Sequence, residues 1–367
     1  MYRTFLSLLF FLFLSLKSAA LADPIKIGWI GPLTGPAAAL GIDTVPAIQI
    51  VFDNINARGG IRGQKLELIV EDDQYQTAKT VSAFEKLNKQ DKIDTFFIIT
   101  YGGLFAISKS AEKNGALLID PLDCDDAIAK LPRNVVCIAK KTEDLGYTNA
   151  DYAISKQLLP AAFIYFNGDP FMGRATEASI ERIKSSGGSI AYESGYIAGS
   201  TDFRTQLLKI KGSQAKSIFF YGYDEMGIAM KQARELGITL QFFAMNTITS
   251  PGFKSSAGQS ADGSFVGSWL APKSAALDEF LSKFVKSVGR KPFLEISTIP
   301  SFDIAGIIVN ALSKSTTAKS AEAISKELYS LKDYPGVSGS ITVDEDGIVR
   351  SLKNYMFVFK DGELDRL

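Results

Sequence analysis

Residues 25–73 read IKIGWIGPLTGPAAALGIDTVPAIQIVFDNINARGGIRGQKLELIVEDD. Ile25, Ile27, Trp29 and Ile30, set around the small Gly28, predict a strand covered on both faces. Gly31-Pro32 stops it, and Thr34 or Gly35 then offers a helix N-terminus with free backbone N–H groups. Ala47, Ile48, Ile50, Val51 and Ile55 keep a helical period through Asn56, and Gly59-Gly60 closes the helix. Lys65 to Val70 alternates as a strand does and runs into carboxylates. Strand, helix and strand in about fifty residues make a βαβ unit, hence a parallel sheet with a crossover helix.

The same alternation continues outward. Strands are expected at 95–100, 116–119, 134–139, 162–166, 189–196, 217–221 and 241–245. Helices are expected at 105–113, 144–157, 171–184 (opened by Asp169-Pro170), from Asp202 to 210, and at 224–236, 275–288, 297–313 and 320–331. Late strands at 340–343 and 355–359 flank turns at Asp346-Gly347 and Asp361-Gly362, with Asp344 to Gly347 forming a hairpin. Two similar α/β blocks, near 25–139 and 162–245, would each offer the carboxyl ends of a parallel sheet, and facing one another they would form a cleft for a small molecule. Short connections between the blocks suggest a hinge.

The first 22 residues read as a secretory signal peptide. Arg3 is the positive start, 5–16 is apolar but too short for a spanning helix, and Ala20-Leu21-Ala22 fits a cleavage site. The mature chain would begin at Asp23, outside the cytoplasm, with no cysteine there to carry a lipid and no later run long enough to cross a membrane. It would hold 38 basic and 40 acidic residues, a net charge of −2, which gives no basic patch for nucleic acid. About 345 residues exceed what one core usually holds, so two domains are expected. Cys124 and Cys137 either pair as a disulfide, the expectation in an oxidising compartment, or stand as two buried thiols. Histidine is absent from the chain. That removes Ser–His and Cys–His nucleophile pairs and imidazole metal sites. GxGxxG, GxxxxGK[ST] and GxSxG are also absent, so an α/β enzyme is a remote alternative. No cofactor and no metal site is expected.

GPLTGP at 31–36, DNINARGGIRG at 53–63 and KLELIVEDDQ at 65–74 resemble the periplasmic solute-binding proteins of branched-chain amino-acid ABC transporters, the leucine/isoleucine/valine-binding family. Further markers are Phe166 to Gly173, SIFFYGYDEMG at 217–227, Ser301-Phe302-Asp303 and GVSGSITVDEDG at 336–347. The resemblance implies a type I periplasmic-binding fold, α/β, with two Rossmann-like lobes joined by three crossings near 137–140, 269–272 and 347–351. Lobe one would be 23–138 plus 272–348, and lobe two 139–271 plus 349–367. It also implies a monomer that closes over a small organic solute and docks on a membrane permease. The same fold can instead present its ligand to a membrane sensor.

Carried over by position, the pocket would use Thr100, Tyr101, Gly102 and Gly103 after the third strand. It would add Leu122, Asp123 and Cys124 after the fourth, Phe171 or Met172 after the sixth, Tyr223, and Asn246 or Thr247. The departures from the family are specific. Glycines stand where the family has a Ser-rich run, Asp123-Cys124 where it has a threonine, uncharged Asn246 near its acidic residue, and Leu40 at its first-turn aromatic. The scaffold is therefore expected to carry a pocket rebuilt for a different solute.

Four carboxylates crowd residues 120–126. Asp123 is read either as facing the cleft toward a cationic or amide N–H group, or as a helix cap in water, and Asp125 and Asp126 as solvated caps. Tyr101, Tyr223 and Phe171 would form an apolar wall, or else pack at strand ends, and Tyr147 is open to either reading. Gly102-Gly103 would allow close backbone approach to a ligand, or mark a turn.

Overall fold

A computed structural model describes residues 23–315 and 320–367, so the expected signal peptide lies outside the described residues. The first sheet holds β1 (Ile25–Gly31), β2 (Leu66–Asp72), β3 (Thr95–Ile98), β4 (Leu117–Asp120) and β5 (Val135–Cys137), in the order β2-β1-β3-β4-β5. All its neighbours are parallel. Helices α1 (Thr44–Ala57), α2 (Thr77–Lys89) and α3 (Tyr101–Lys113) follow the first three strands.

After β5 the chain passes through α4 (Thr142–Ser155) into a second sheet. There β6 (Ala161–Phe166), β7 (Ile190–Tyr196), β8 (Ser217–Tyr221), β9 (Gln241–Ala244) and β10 (Phe265–Ser268) are interleaved with α5 (Pro170–Ser185), α6 (Arg204–Lys211), α7 (Glu225–Glu235) and α8 (Pro251–Ala257). It then returns as α9 (Ala275–Val288), α10 (Glu295–Lys314) and α11 (Ser320–Tyr329), with α9 and α10 on α1 and α11 beside β4. A two-stranded ribbon, β11 (Tyr334–Gly336) with β12 (Gly339–Ile341), precedes the last passage. Finally β13 (Tyr355–Lys360) and β14 (Glu363–Arg366) complete the second sheet, ordered β14-β13-β10-β9-β8-β6-β7. Only its β10-β13 and β13-β14 pairs are antiparallel. The chain thus moves between the sheets three times, after β5, after β10 and before β13.

Four local features depart from the sequence reading. The first helix begins at Thr44, ten residues beyond Thr34. Pro46 lacks an N–H and is tolerated only in a first turn, which sets the start here. Thr34 is used elsewhere: its hydroxyl donates to Asp72 Oδ2 at 2.6 Å. Helix α2 was not anticipated, although Thr80, Ala83, Phe84 and Leu87 bury one helical face. Strand β10 was also not anticipated, being only four residues long. Two stretches, 38–57 and Glu295–Lys314, do reach the length and apolarity of a membrane span, contrary to expectation. The second, however, is 72% buried within the fold. It is a core helix whose neighbours, rather than lipid, cover its apolar surface.

Candidate binding cleft

The carboxyl ends of the two parallel sheets face each other, and the residues that meet there come from five separate loops. The first is 73–76, between β2 and α2. Gln74 and Tyr75 both adopt left-handed backbone, with φ of 54° and 59°. Two carboxylates hold this turn: Gln74 N donates to Asp72 Oδ1 (3.0 Å) and Tyr75 N to Asp73 Oδ1 (2.9 Å). The Thr80 hydroxyl binds the other Asp73 oxygen at 2.7 Å. The carboxylates that end the opening stretch therefore build a turn, and the turn aims Tyr75 across the cleft.

On the far side Asp169 caps α5, accepting from Phe171 N at 3.0 Å. Its other oxygen accepts from the Tyr223 hydroxyl at 2.6 Å, and the Tyr75 hydroxyl stands 3.5 Å from Oδ1. The Tyr75 and Tyr223 rings meet edge to face, 5.6 Å between centroids, with Phe166 6.1 Å beyond Tyr223. Asp169 is buried. Burial pushes its carboxyl up to about 6, against the pull of the Tyr223 hydroxyl and Phe171 N–H. Burial and the Asp169 charge drive the Tyr223 phenol well above its ordinary range. Part of the Tyr75 residue remains exposed while its hydroxyl is enclosed, and that hydroxyl feels Asp169, Asp123 and Asp120 together.

The acidic loop after β4 supplies the third set. Asp120 Oδ1 accepts from the backbone N–H groups of Leu122 (2.7 Å) and Asp123 (3.0 Å), leaving buried Oδ2 without a partner among the described residues. Asp123 is fully buried and paired with the equally buried Lys140 at 2.6 Å. Its Oδ2 also has no partner. The Lys140 ammonium binds Leu122 O as well and lies 5.3 Å from the Phe171 ring centre. Burial raises Asp120 well above the usual carboxylate range, with Asp123 adding to the rise. Lys140 partly offsets the same effect at Asp123. Among the described residues no cation pairs with Asp120, whereas Asp123 has Lys140.

Several expected roles change. Asp125 does cap the next turn, accepting from Ala127 N and Ile128 N, but it is buried rather than solvated and also receives the Tyr101 hydroxyl. Asp126 is exposed and pairs with Lys141 and Arg350. Tyr101 packs on Phe105, with ring centres 4.8 Å apart, and does not join Tyr223 in one aromatic wall. Gly102 and Gly103 lie inside α3, not in a turn. A Cβ on Gly103 would meet Thr80 at 2.4 Å, and one on Gly102 would meet Thr77 Oγ1 at 2.7 Å. Their smallness lets α2 pack on α3.

Thr100 precedes α3 and is buried. Met172 is buried in the first turn of α5, and Thr247 turns its hydroxyl onto Gly222 O at 2.7 Å. Asn246 is buried with neither amide atom satisfied, beside a cavity of about 350 Å³ shared with Thr249, Ser268, Arg290, Phe293 and Glu295. A larger cavity, about 840 Å³, lies along the crossing segments and misses the acidic residues, which are packed shut. Buried polar groups with free atoms each call for an explanation, an absent bound molecule among them. Cys124 and Cys137 are joined, with Cα atoms 5.6 Å apart, which ties the acidic loop to β5. The sequence reading missed Tyr75, Asp169 and Lys140 as cleft residues. A Tyr following paired aspartates, and an Asp before Pro170, were the available signals.

The profile of a family described as "Periplasmic binding protein" matches residues 24–360. The chain belongs to this family. Among its relatives, the Leu/Ile/Val-binding protein homolog 3 of Brucella melitensis is 24% identical over 351 residues, spanning 95% of this chain and 94% of the relative. The Leu/Ile/Val-binding protein of Escherichia coli K12 is 25% identical over 255 residues, 69% of this chain and 70% of that one. The substrate-binding protein LivJ of Streptococcus pneumoniae, solved with isoleucine, superposes with a TM-score of 0.83 at 25% identity, covering 93% and 98% of the two chains. A benzoate complex from Rhodopseudomonas palustris shares the fold, with a TM-score of 0.82 at 16% identity over 94% and 95%. This periplasmic binding protein thus has the type I fold of the branched-chain amino-acid group. Its family is one of solute binders, not enzymes.

Proposed function

We propose that this protein is the extracytoplasmic solute-capturing component of an ABC importer, secreted through residues 1–22 and acting as a monomer. Segments 23–138 with 272–348, and 139–271 with 349–367, close as two lobes over a small organic solute. The closed form is then presented to a membrane permease. The observation that carries this reading is the contact of Tyr75, from one sheet's loops, with Asp169 and Tyr223 from the other's. Of the residues named in the sequence reading, Thr100, Asp123, Phe171, Tyr223 and Asn246 are the ones assigned here to ligand contact. Binding of small solutes is tested by tryptophan and tyrosine fluorescence, together with the radius of gyration from solution scattering. A solute that both shifts the fluorescence and contracts the particle is the expected result. A folded protein silent to amino acids, amides, amines and carboxylates would defeat the proposal.

A further inference from the structure

Asp169 is a carboxylate 3% exposed, and among the described residues no lysine or arginine lies within ion-pair distance of it. The nearby buried cation, Lys140, is already committed to Asp123, to Leu122 O and to the face of Phe171. A buried charge without a counterion is costly, and proteins offset that cost with a paired group. Two further carboxylate oxygens, Asp120 Oδ2 and Asp123 Oδ2, are buried with no donor to accept from among the described residues. Both Asp120 and Asp123 are near enough to act on the Tyr75 hydroxyl, and Asp123 acts on Asp169 as well. The side chains around this charge are aromatic: Tyr75, Tyr223, Phe166 and Phe171. Carboxylate oxygens beside aromatic rings are the combination that attracts an organic cation.

Resting on the binding-protein reading above, we infer that the solute is a small organic cation, a primary amine or an amidinium. Its charged end would take the place of the long 3.5 Å Tyr75 contact at Asp169 Oδ1, and its N–H groups would donate to Asp120 Oδ2 and Asp123 Oδ2. Lys140 neutralises Asp123, while Asp169 has no cation beside it among the described residues and is left to balance one positive charge. An anionic solute would have to take Lys140 away from Asp123 and lie against the Asp123 and Asp169 carboxylates.

The test uses the purified mature protein and three probes of one shape and different charge, benzylamine, benzamide and benzoate, with leucine and putrescine alongside. Calorimetric titration and thermal melting are read for each. The expected result is binding of the amines, with benzamide and benzoate weaker by about tenfold or more. Asp169→Asn keeps the α5 cap and should remove most of the preference for benzylamine over benzamide. Binding of benzoate, benzamide or leucine in preference to the amines overturns the cation assignment and leaves the binding-protein reading standing. An unchanged amine preference in Asp169→Asn overturns the placement at that residue. Silence to every probe and to the wider solute panel overturns both readings.

Discussion

Asp169→Asn tests what closing the cleft costs when no solute is present. In the structure Asp169 is held at about 6 instead of its ordinary 3.8, chiefly by burial. A displacement of about two pH units corresponds to about 3 kcal/mol against the ionised form at neutral pH. Opening of the two lobes, as proposed above, would bring the same carboxylate to water and remove the cost. The open-to-closed ratio of the ligand-free protein therefore carries an upper bound of about 100-fold from this one group.

The sign follows from the raised value. Closed protein binds the proton more tightly, so closure is favoured at low pH and loses ground as pH rises from about 4 to about 6, then levels off. The groups facing Asp169 do not reverse this trend. Tyr75 and Tyr223 stay neutral, and Asp120 and Asp123 are raised in the same direction. Asparagine can accept from Phe171 N and needs no proton. The ligand-free variant should therefore be more compact than wild type at pH 7, with a shallower dependence of radius of gyration on pH between 4.5 and 7. Solution scattering measures both. A variant that scatters like wild type at pH 7 and keeps the full pH slope would refute the reasoning.

Tyr223→Phe removes the 2.6 Å hydrogen bond to Asp169. It should weaken solute binding by about tenfold, since hydrogen bonds to charged groups contribute about 1.5–3 kcal/mol, while the melting temperature moves little. Loss of melting temperature with unchanged affinity would make Tyr223 structural. Lys140→Met strands Asp123 in the interior and should cost about 3–5 kcal/mol in chemical denaturation. Gly103→Ala drives a methyl into Thr80, and overpacking of this kind should cost about 1–3 kcal/mol despite alanine's better helix propensity. Reduction of the Cys124–Cys137 bond should lower stability by about 3 kcal/mol, read by melting with and without a reductant.

The sequence made the α/β alternation legible because most elements bury one face at a regular period. Helix α9 is found at its expected limits of 275–288. Helix α2 was passed over because only Thr80, Ala83, Phe84 and Leu87 mark its inner face among many polar residues. At the cleft, Asp123 and Tyr223 stood out by chemistry, yet neither partner could be read locally. Lys140 comes from the first crossing, and Asp169 lies 54 residues before Tyr223. Gly102 and Gly103 misled because a glycine needed by a neighbouring helix looks, in one dimension, like a glycine needed by a ligand or a turn.

The turn at Gln74-Tyr75 has a consequence for selectivity. Left-handed backbone at two successive non-glycine residues costs about 1–3 kcal/mol each. Asp72, Asp73 and Thr80 hold that conformation from behind. Tyr75 therefore reaches Asp169 from a turn that its own loop holds. A ring whose direction is fixed in advance loses little entropy when a guest arrives, and it yields little to a guest of another outline. Tyr75 would thus act as a rigid gauge, setting how thick a solute the closed protein can hold.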